Sequence, residues 1–468
     1  SVYGARGANG VVLISTKSGK AGETKFSFRS ETRVSANTTN FNFADNITYM
    51  NLANEAALTR DRNAILPYSQ TKIDRTAQGD NPLLYPSNNW IDQLIKDYTV
   101  NQSLNLNVSG GSEKARYYVS GTYNIDNGVL DVAGINNFNS NIKLRNYSIR
   151  SNINLQLTPT TEAIIRVSGQ FDDYNGPVGG GQAIFNSAVW SNPVAFPAIY
   201  PSELLPFIEH PLFGGAPTSV ASSTLLNNPY AQMVRGYQTR KTSTIRPQLE
   251  LKQDLSFITE GLRIRTMGYL SRYSTYNVSR QYNPFFYSSY LNPVNGNIEL
   301  QVLNDGSASS IGTVGQEYLG YSEGEKLLDS RIYNETAINY DRTFGEKHAV
   351  SAMLLNLISS YENGNSGSVQ SSLARRNHGI SGRFTYAYDN RYMFEGNFGY
   401  NGSERFARGS RYGFFPSVGL GYRISNEKFF EPLKDVVSNL KFRLTYGTVG
   451  NDEIGNTSDR FFYLSNVG

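Results

Sequence analysis

The sequence predicts an all-β fold, a transmembrane antiparallel β-barrel. Three observations carry that prediction. Apolar and polar residues alternate with period two along many stretches, tight turns alternate with long links, and tyrosines gather near the ends of the stretches. The composition allows it. Lys and Arg number 43 against 39 Asp and Glu, a formal charge of +4, which excludes the basic excess of a dedicated nucleic-acid binder. With no cysteine, disulfide scaffolds, cysteine zinc sites and iron–sulfur clusters are excluded. Mean hydropathy is −0.42, and no apolar run approaches the ~18 residues of a spanning helix. Yet 32 Tyr and 25 Phe are too many for a disordered chain. Composition leaves a soluble β-protein and a membrane barrel both open, so pattern decides.

The opening stretch, Tyr3 to Lys17, stands apart. Gly4, Gly7 and Gly10 form a tight glycine turn before the apolar run Val11–Ile14, and apolarity on both faces means burial in a globular element. The spacing fits neither the dinucleotide nor the Walker phosphate loop. Alternation begins at Lys25–Val34 and continues at Leu104–Val108, Ala115–Tyr123, Tyr147–Leu157, Ala163–Phe171, Pro247–Leu251 and Leu262–Leu270. It resumes at Ile332–Tyr340, Ala349–Ile358, Gly379–Tyr388, Tyr392–Tyr400, Val418–Ile424 and Leu440–Tyr446. That makes about thirteen strands, many long enough to cross a bilayer at a tilt. In Tyr147–Leu157 the odd positions Tyr147, Ile149, Ile153, Leu155 and Leu157 should face lipid, and Arg150, Asn152, Asn154 and Gln156 a hydrated lumen.

Link lengths separate a barrel from a sandwich. Gly110–Glu113, Thr158–Thr161, Phe344–Lys347 and Asp389-Asn390 are tight, whereas Ala36–Thr99, Ile125–Asn146, Asn175–Lys241, Ser274–Asp329 and Glu362–Asn377 are long. Their alternation puts short turns at one end and large loops at the other, as in outer-membrane barrels. Tyr98, Tyr123, Tyr147, Tyr174, Tyr340, Tyr400 and Tyr412 sit where interfacial girdles belong. In the first long link, Asp45 should cap a helix over Asn46–Arg60 with Tyr49, Leu52, Ala53 and Ala56 on one stripe.

The run YGARGANGVVLISTKSGKAG resembles the plug terminus of TonB-dependent outer-membrane transporters, in the SusC/RagA-like branch of Bacteroidetes. Further words of that family follow in order: Asn89-Trp90-Ile91-Asp92, Asn101 to Gly111, Arg116 to Gly121, Asn390 to Glu395, Phe414 to Gly419 and Asn439 to Gly447 with Gly450-Asn451 and Glu453 to Gly455. The resemblance implies a plug end at 1–22, carrying Gly4, Arg6, Gly7, Asn9 and Gly10, and the N-terminal portion of the barrel at 23–468. It also implies TonB-dependent import of an oligosaccharide or peptide, a SusD-like surface lipoprotein, the TonB–ExbB–ExbD system acting through a preceding segment, and contact with outer-membrane lipid. No cofactor and no nucleic acid are expected. Ser1 and Gly468 are expected to be cuts inside a longer protein, because about thirteen strands cannot close a 22-stranded barrel. Such a chain alone should not transport.

Other classes compete. A siderophore or vitamin receptor shares the architecture. An adhesin or structural barrel lacks a plug. An enzyme needs a base, and the three histidines, His210, His348 and His378, show no ligand or triad spacing. Gly320-Tyr321-Ser322-Glu323-Gly324 matches Gly-x-Ser-x-Gly in an expected loop, without the buried strand a nucleophile elbow needs. Substrate contact is expected from aromatic loop residues: Trp190 and Tyr200 in a stretch stiffened by prolines 193, 197, 201, 206 and 211, and Phe285, Phe286, Tyr287 and Tyr290. The same aromatics could instead form a small core of the loops.

Overall fold

The computed structural model describes residues 16–38, 43–132, 134–219 and 222–452. The glycine turn with Gly4, Arg6, Gly7, Asn9 and Gly10 lies outside them. From the N-terminus, β1 (Gly22–Ala36) leads through α1 (Asn46–Arg60), α2 (Gln70–Ala77) and α3 (Trp90–Leu94) to β2 (Tyr98–Gly111) and β3 (Ala115–Asn127). After β4 (Lys143–Thr158) and β5 (Thr161–Gly176) comes α4 (Gly180–Trp190), two short loop strands, β6 (Ile199–Tyr200) and β7 (Leu212–Gly214), and α5 (Pro229–Val234). The wall resumes with β8 (Gly236–Asp254) and β9 (Leu262–Gln281), and the loop hairpin β10 (Phe286–Leu291) and β11 (Ile298–Val302) follows. Then come β12 (Gly320–Phe344), β13 (His348–Asn363), α6 (Val369–Ser372), β14 (Arg375–Tyr388), β15 (Tyr392–Ser403), β16 (Tyr412–Arg423) and β17 (Lys441–Gly447).

Thirteen of these strands form one sheet in the order β1-β2-β3-β4-β5-β8-β9-β12-β13-β14-β15-β16-β17. Each pairs antiparallel with the next, so every alternating stretch read from the sequence is a strand of one curved wall. The tight turns share one end. At Asp389-Asn390 both residues have positive φ (48° and 53°), the conformation a two-residue hairpin requires and Asp and Asn tolerate. The 424–440 link, at that same end, is longer and holds two 3₁₀ turns.

The faces follow parity. On β4, Ile149 and Leu157 are 52% and 58% exposed outward, while Asn152 is buried on the inner face. On β16, Tyr412 and Tyr422 share the outer face, which includes the exposed Phe414, Val418 and Leu420. Ten residues at about 3.4 Å each, tilted about 40°, span about 26 Å, close to the apolar band of an outer-membrane barrel. Tyr392 stacks on Tyr422 at 5.2 Å near the tight turns, and Tyr400 on Tyr412 at 4.9 Å near the loops. Those pairs mark the two girdles.

Three expectations need correction. Strands run past the bilayer because ladder pairing continues beyond it, so the links expected at Asn175–Lys241 and Ser274–Asp329 shrink to 177–235 and 282–319. Gly320–Gly324 is therefore the start of β12, with Ser322 opposite Ser279, and not a loop. Helix α1 has the expected bounds and cap, Asp45 accepting from the Ile47 and Thr48 amides at 3.0 and 2.9 Å. Its packed stripe is partly turned, however: Met50 is fully buried against Ile73 and Val194 with Tyr49 beside it, and Ala53 is half-buried, whereas Leu52 and Ala56 are exposed. Asn54 fixes this rotation, its amide clasping both the backbone N–H and the carbonyl of Tyr68.

Candidate functional site

The inner face of the wall carries a chain of paired charges nearest the tight turns. Arg116 meets Glu162 at 2.9 Å, Lys252 meets Glu162 at 3.3 Å, and Arg166 meets Glu250 at 2.6 Å. Arg265 bridges Glu250 at 3.9 Å and also pairs with Glu335, whose other oxygen accepts from the Tyr333 hydroxyl at 2.6 Å. Six adjacent strands, β3, β4, β5, β8, β9 and β12, contribute, with Asn154 of β4 donating to Glu162 at 3.0 Å. Buried carboxylates are tolerable here because each has a cation or hydroxyl partner. Just above, Asn152 donates to Thr16 Oγ1 at 3.2 Å and to the Lys17 carbonyl. Residues 16 and 17 thus run along the inside of the wall. A Cβ at Gly19 would lie 2.4 Å from the Tyr117 backbone, so only glycine lets the strap lie this close.

Nearer the loops the inner face opens into a cavity of about 810 Å³ between β12 and β16. Its wall is polar and aromatic. Arg331 and Arg375 both lie over the Tyr361 ring, at 5.6 and 5.8 Å, and Asn377, Asn401 and Tyr333 are among the other lining residues. Cations and a ring face held side by side can take up carboxylate or hydroxyl groups and an apolar sugar face together.

Above it the long loops fold into a layer of their own. Trp90, Phe196, Phe213, Met233 and Tyr282, drawn from three separate links, are buried in one core. A four-stranded sheet, β11-β10-β7-β6, joins two of those links, with β10 and β7 parallel. Three buried asparagines bind it together. Asn88 donates to the Pro193 and Phe196 carbonyls, Asn228 to those of Ala198 and Gly214, and Asn304 to those of Pro284 and Thr313, all at 2.8–3.0 Å. Sequence reading missed them. Their one signal was an amide beside proline- and aromatic-rich runs, where unpaired carbonyls need donors.

The structure divides the six aromatics expected to touch substrate. Tyr200 and Tyr287, each 4% exposed, pack with Leu212 in a second loop core, and Phe286 packs beside Phe213. Phe285 stacks on His210 at 4.2 Å. Trp190 is 86% exposed, and Tyr290 is half-exposed and donates to Glu299 at 2.7 Å. Burial, with Glu317 and Asp305 nearby, pushes the Tyr287 phenol up to about 12. Burial does the same for Tyr68 and Tyr282, also to about 12.

Known proteins share this architecture. No family model matches. The TonB-dependent receptor SusC of Bacteroides thetaiotaomicron is 24% identical over 99% of this chain. TonB-dependent receptor P26 of Formosa agariphila is 26% identical over 97% of it. Among solved structures, the RagAB peptide transporter superposes with a TM-score of 0.65 over 97% of the chain at 18% identity. Over nearly all its length the chain is similar to SusC/RagA-like TonB-dependent receptors of the outer membrane, and it has their barrel fold. The chain spans 42% and 43% of the two curated relatives and 50% of the RagAB chain. Among the described residues, no helix is long and apolar enough to cross a membrane, which leaves crossing by strands untouched.

Proposed function

We propose that the intact receptor imports a nutrient, a glycan oligosaccharide in the first reading, across the outer membrane in a TonB-dependent step. The observation that carries this is an inner face that holds a polar and aromatic cavity beside Tyr361, a chain of paired charges nearer the tight turns, and residues 16 and 17 lying inside the wall. A passive structural barrel has no use for a strap held inside its lumen. A transporter and not an enzyme is supported by relatives named as receptors and by Ser322 lying in an extended strand. A peptide is the second reading, favoured by the guanidiniums of Arg331 and Arg375 and by the likeness to the RagAB peptide transporter.

In this proposal residues 1–22 end the plug, with Gly4, Arg6, Gly7, Asn9 and Gly10 in its last turn, and 23–468 build barrel wall. TonB–ExbB–ExbD acts through a segment before them. A SusD-like lipoprotein caps the loop layer, where Trp190, Phe207, Ile65 and Val294 stand 86%, 96%, 95% and 92% exposed. Trp190 and Tyr290 offer the first aromatic faces to a ligand, with Tyr200, Phe285, Phe286 and Tyr287 supporting them from below. Trp190→Ala, Tyr287→Ala and Arg331→Gln in the intact receptor test this by calorimetry with oligosaccharides and peptides. Loss of affinity in Arg331→Gln of about tenfold is expected from one charge-assisted bond. Unchanged affinity in all three variants, with normal expression and lipoprotein co-purification, removes these residues from the binding site.

A further inference from the structure

One ladder row on the inner face carries cations on alternate strands. Arg150 of β4 lies opposite Ser168 of β5, and Ser168 opposite Arg246 of β8. Arg246 falls opposite Ser271 of β9, between the pairs Ile245 with Arg272 and Gln248 with Tyr269. Ser271 meets Arg331 of β12, Arg331 meets Tyr361 of β13, and Tyr361 meets Arg375 of β14. The row has the parity of Asn152, Glu250 and Glu335, so its side chains face inward. It slants, because the strands are tilted. Its upper end is Arg375, the first residue of β14 on the loop side, and its lower end is Arg150, one inward position from the Asn152 that holds residues 16 and 17.

In the charge chain nearer the tight turns, Arg116, Arg166, Lys252 and Arg265 each have a glutamate. The row above it is different. Arg150, Arg246 and Arg331 are exposed, and among the described residues none has a carboxylate within 4.0 Å. Asp329 is one inward position from Arg331 on its loop side, and Glu404 and Asp452 line the cavity at the Arg375 end with Arg376, Arg405 and Arg411. Cations therefore outnumber acids along the row, which favours an anionic occupant. Ring faces and neutral polar groups flank it. Arg246 lies over the Tyr269 ring at 5.5 Å, Tyr269 stacks on Tyr333 at 5.0 Å, and Ser148, Gln170, Thr244 and Gln248 occupy neighbouring inward positions. Successive cations stand two strands apart, about 10 Å at the backbone. A glycan with one acidic group on every second sugar repeats at a similar distance, whereas an extended peptide repeats a face about every 7 Å. We propose that this row binds an acidic oligosaccharide, its carboxylates or sulfates on the guanidinium forks and its sugar faces on Tyr269, Tyr333 and Tyr361. The assignment rests on the import reading and names the class of its cargo.

The intact receptor in detergent is titrated by calorimetry with two acidic hexasaccharides: hyaluronan, with one carboxylate per disaccharide, and κ-carrageenan, with one sulfate. Their carboxyl-reduced and desulfated counterparts are the neutral arms, and hexaglutamate is the peptide arm. At least one acidic sugar is expected to bind tenfold or more tighter than its neutral counterpart, and the arm that does so identifies the acid. Arg150→Gln, Arg246→Gln and Arg331→Gln should each lower that affinity about tenfold, the share of one charge-assisted contact. Arg272→Gln, on the outer face of β9 opposite Ile245, should leave it unchanged. Heat-modifiable migration of each variant reports that the barrel is folded. Neutral sugars binding as tightly as the acidic ones would overturn this assignment and leave the import of a glycan standing. Hexaglutamate bound with neither acidic sugar bound removes the glycan reading as well. Failure of both acidic sugars to bind, or full affinity in the folded triple variant, also overturns the proposal.

Discussion

Asn228 shows how much one amide can organise. It is 1% exposed, caps α5 through the Tyr230 and Ala231 amides, and donates to two carbonyls of neighbouring segments. Replacing it with Ala removes a cap and takes the amide donor from both carbonyls, leaving Ala198 only the long 3.4 Å bond from the Gly214 N–H. The expected local cost is about 2–4 kcal/mol. Hydrogen exchange of the 198–234 amides should speed up accordingly, while exchange in β4 and β5 stays as it was. The buried tyrosines of the loop layer make a second, pH-based prediction. Tyr68, Tyr282 and Tyr287 ionise near 12 when folded, against 10.0 unfolded. A raised acid favours the folded state's neutral form, so this stabilisation is complete below pH 10 and lost as pH rises toward 12. Ultraviolet titration should show these phenols ionising late, together with loss of loop protection. Ionisation near 10 with the loops intact would contradict their burial.

For single elements, the strand faces make the sharpest claims. Cysteines placed at Ile149 or Leu157 should react with lipid-soluble reagent, and those at Arg150 or Asn154 with water-soluble reagent. A cysteine at Asn152 should react poorly with both, because the 16–17 strap covers it. These faces were legible in the sequence, since period two leaves no freedom once one side is apolar. The turn of α1 was not. Its sequence offers Leu52 and Ala56 beside Tyr49 as readily as Met50 and Asn54, yet only Tyr49 of the first set joins the Met50 cluster. The choice was made by Val194, a residue over a hundred positions away, and by the backbone of Tyr68.

The whole molecule is a wall with a separately packed roof. Phe196→Ala, emptying the centre of the roof core, is expected to cost about 3–5 kcal/mol. Loops from three links should then become protease-sensitive together while the barrel keeps its heat-modifiable migration. Cleavage confined to 177–235 would show that the links fold independently.

What the sequence determined alone was the wall: thirteen alternating stretches, their order, their two faces and the sorting of turns from loops. Each of those is a local property, written in period and spacing. What only the tertiary structure decided was the roof and the interior: which of Trp190, Tyr200, Tyr287 and Tyr290 are buried, which carbonyls Asn88, Asn228 and Asn304 satisfy, and how Glu162, Glu250 and Glu335 find their cations. Those outcomes depend on side chains far apart along the chain, meeting at distances that no period encodes.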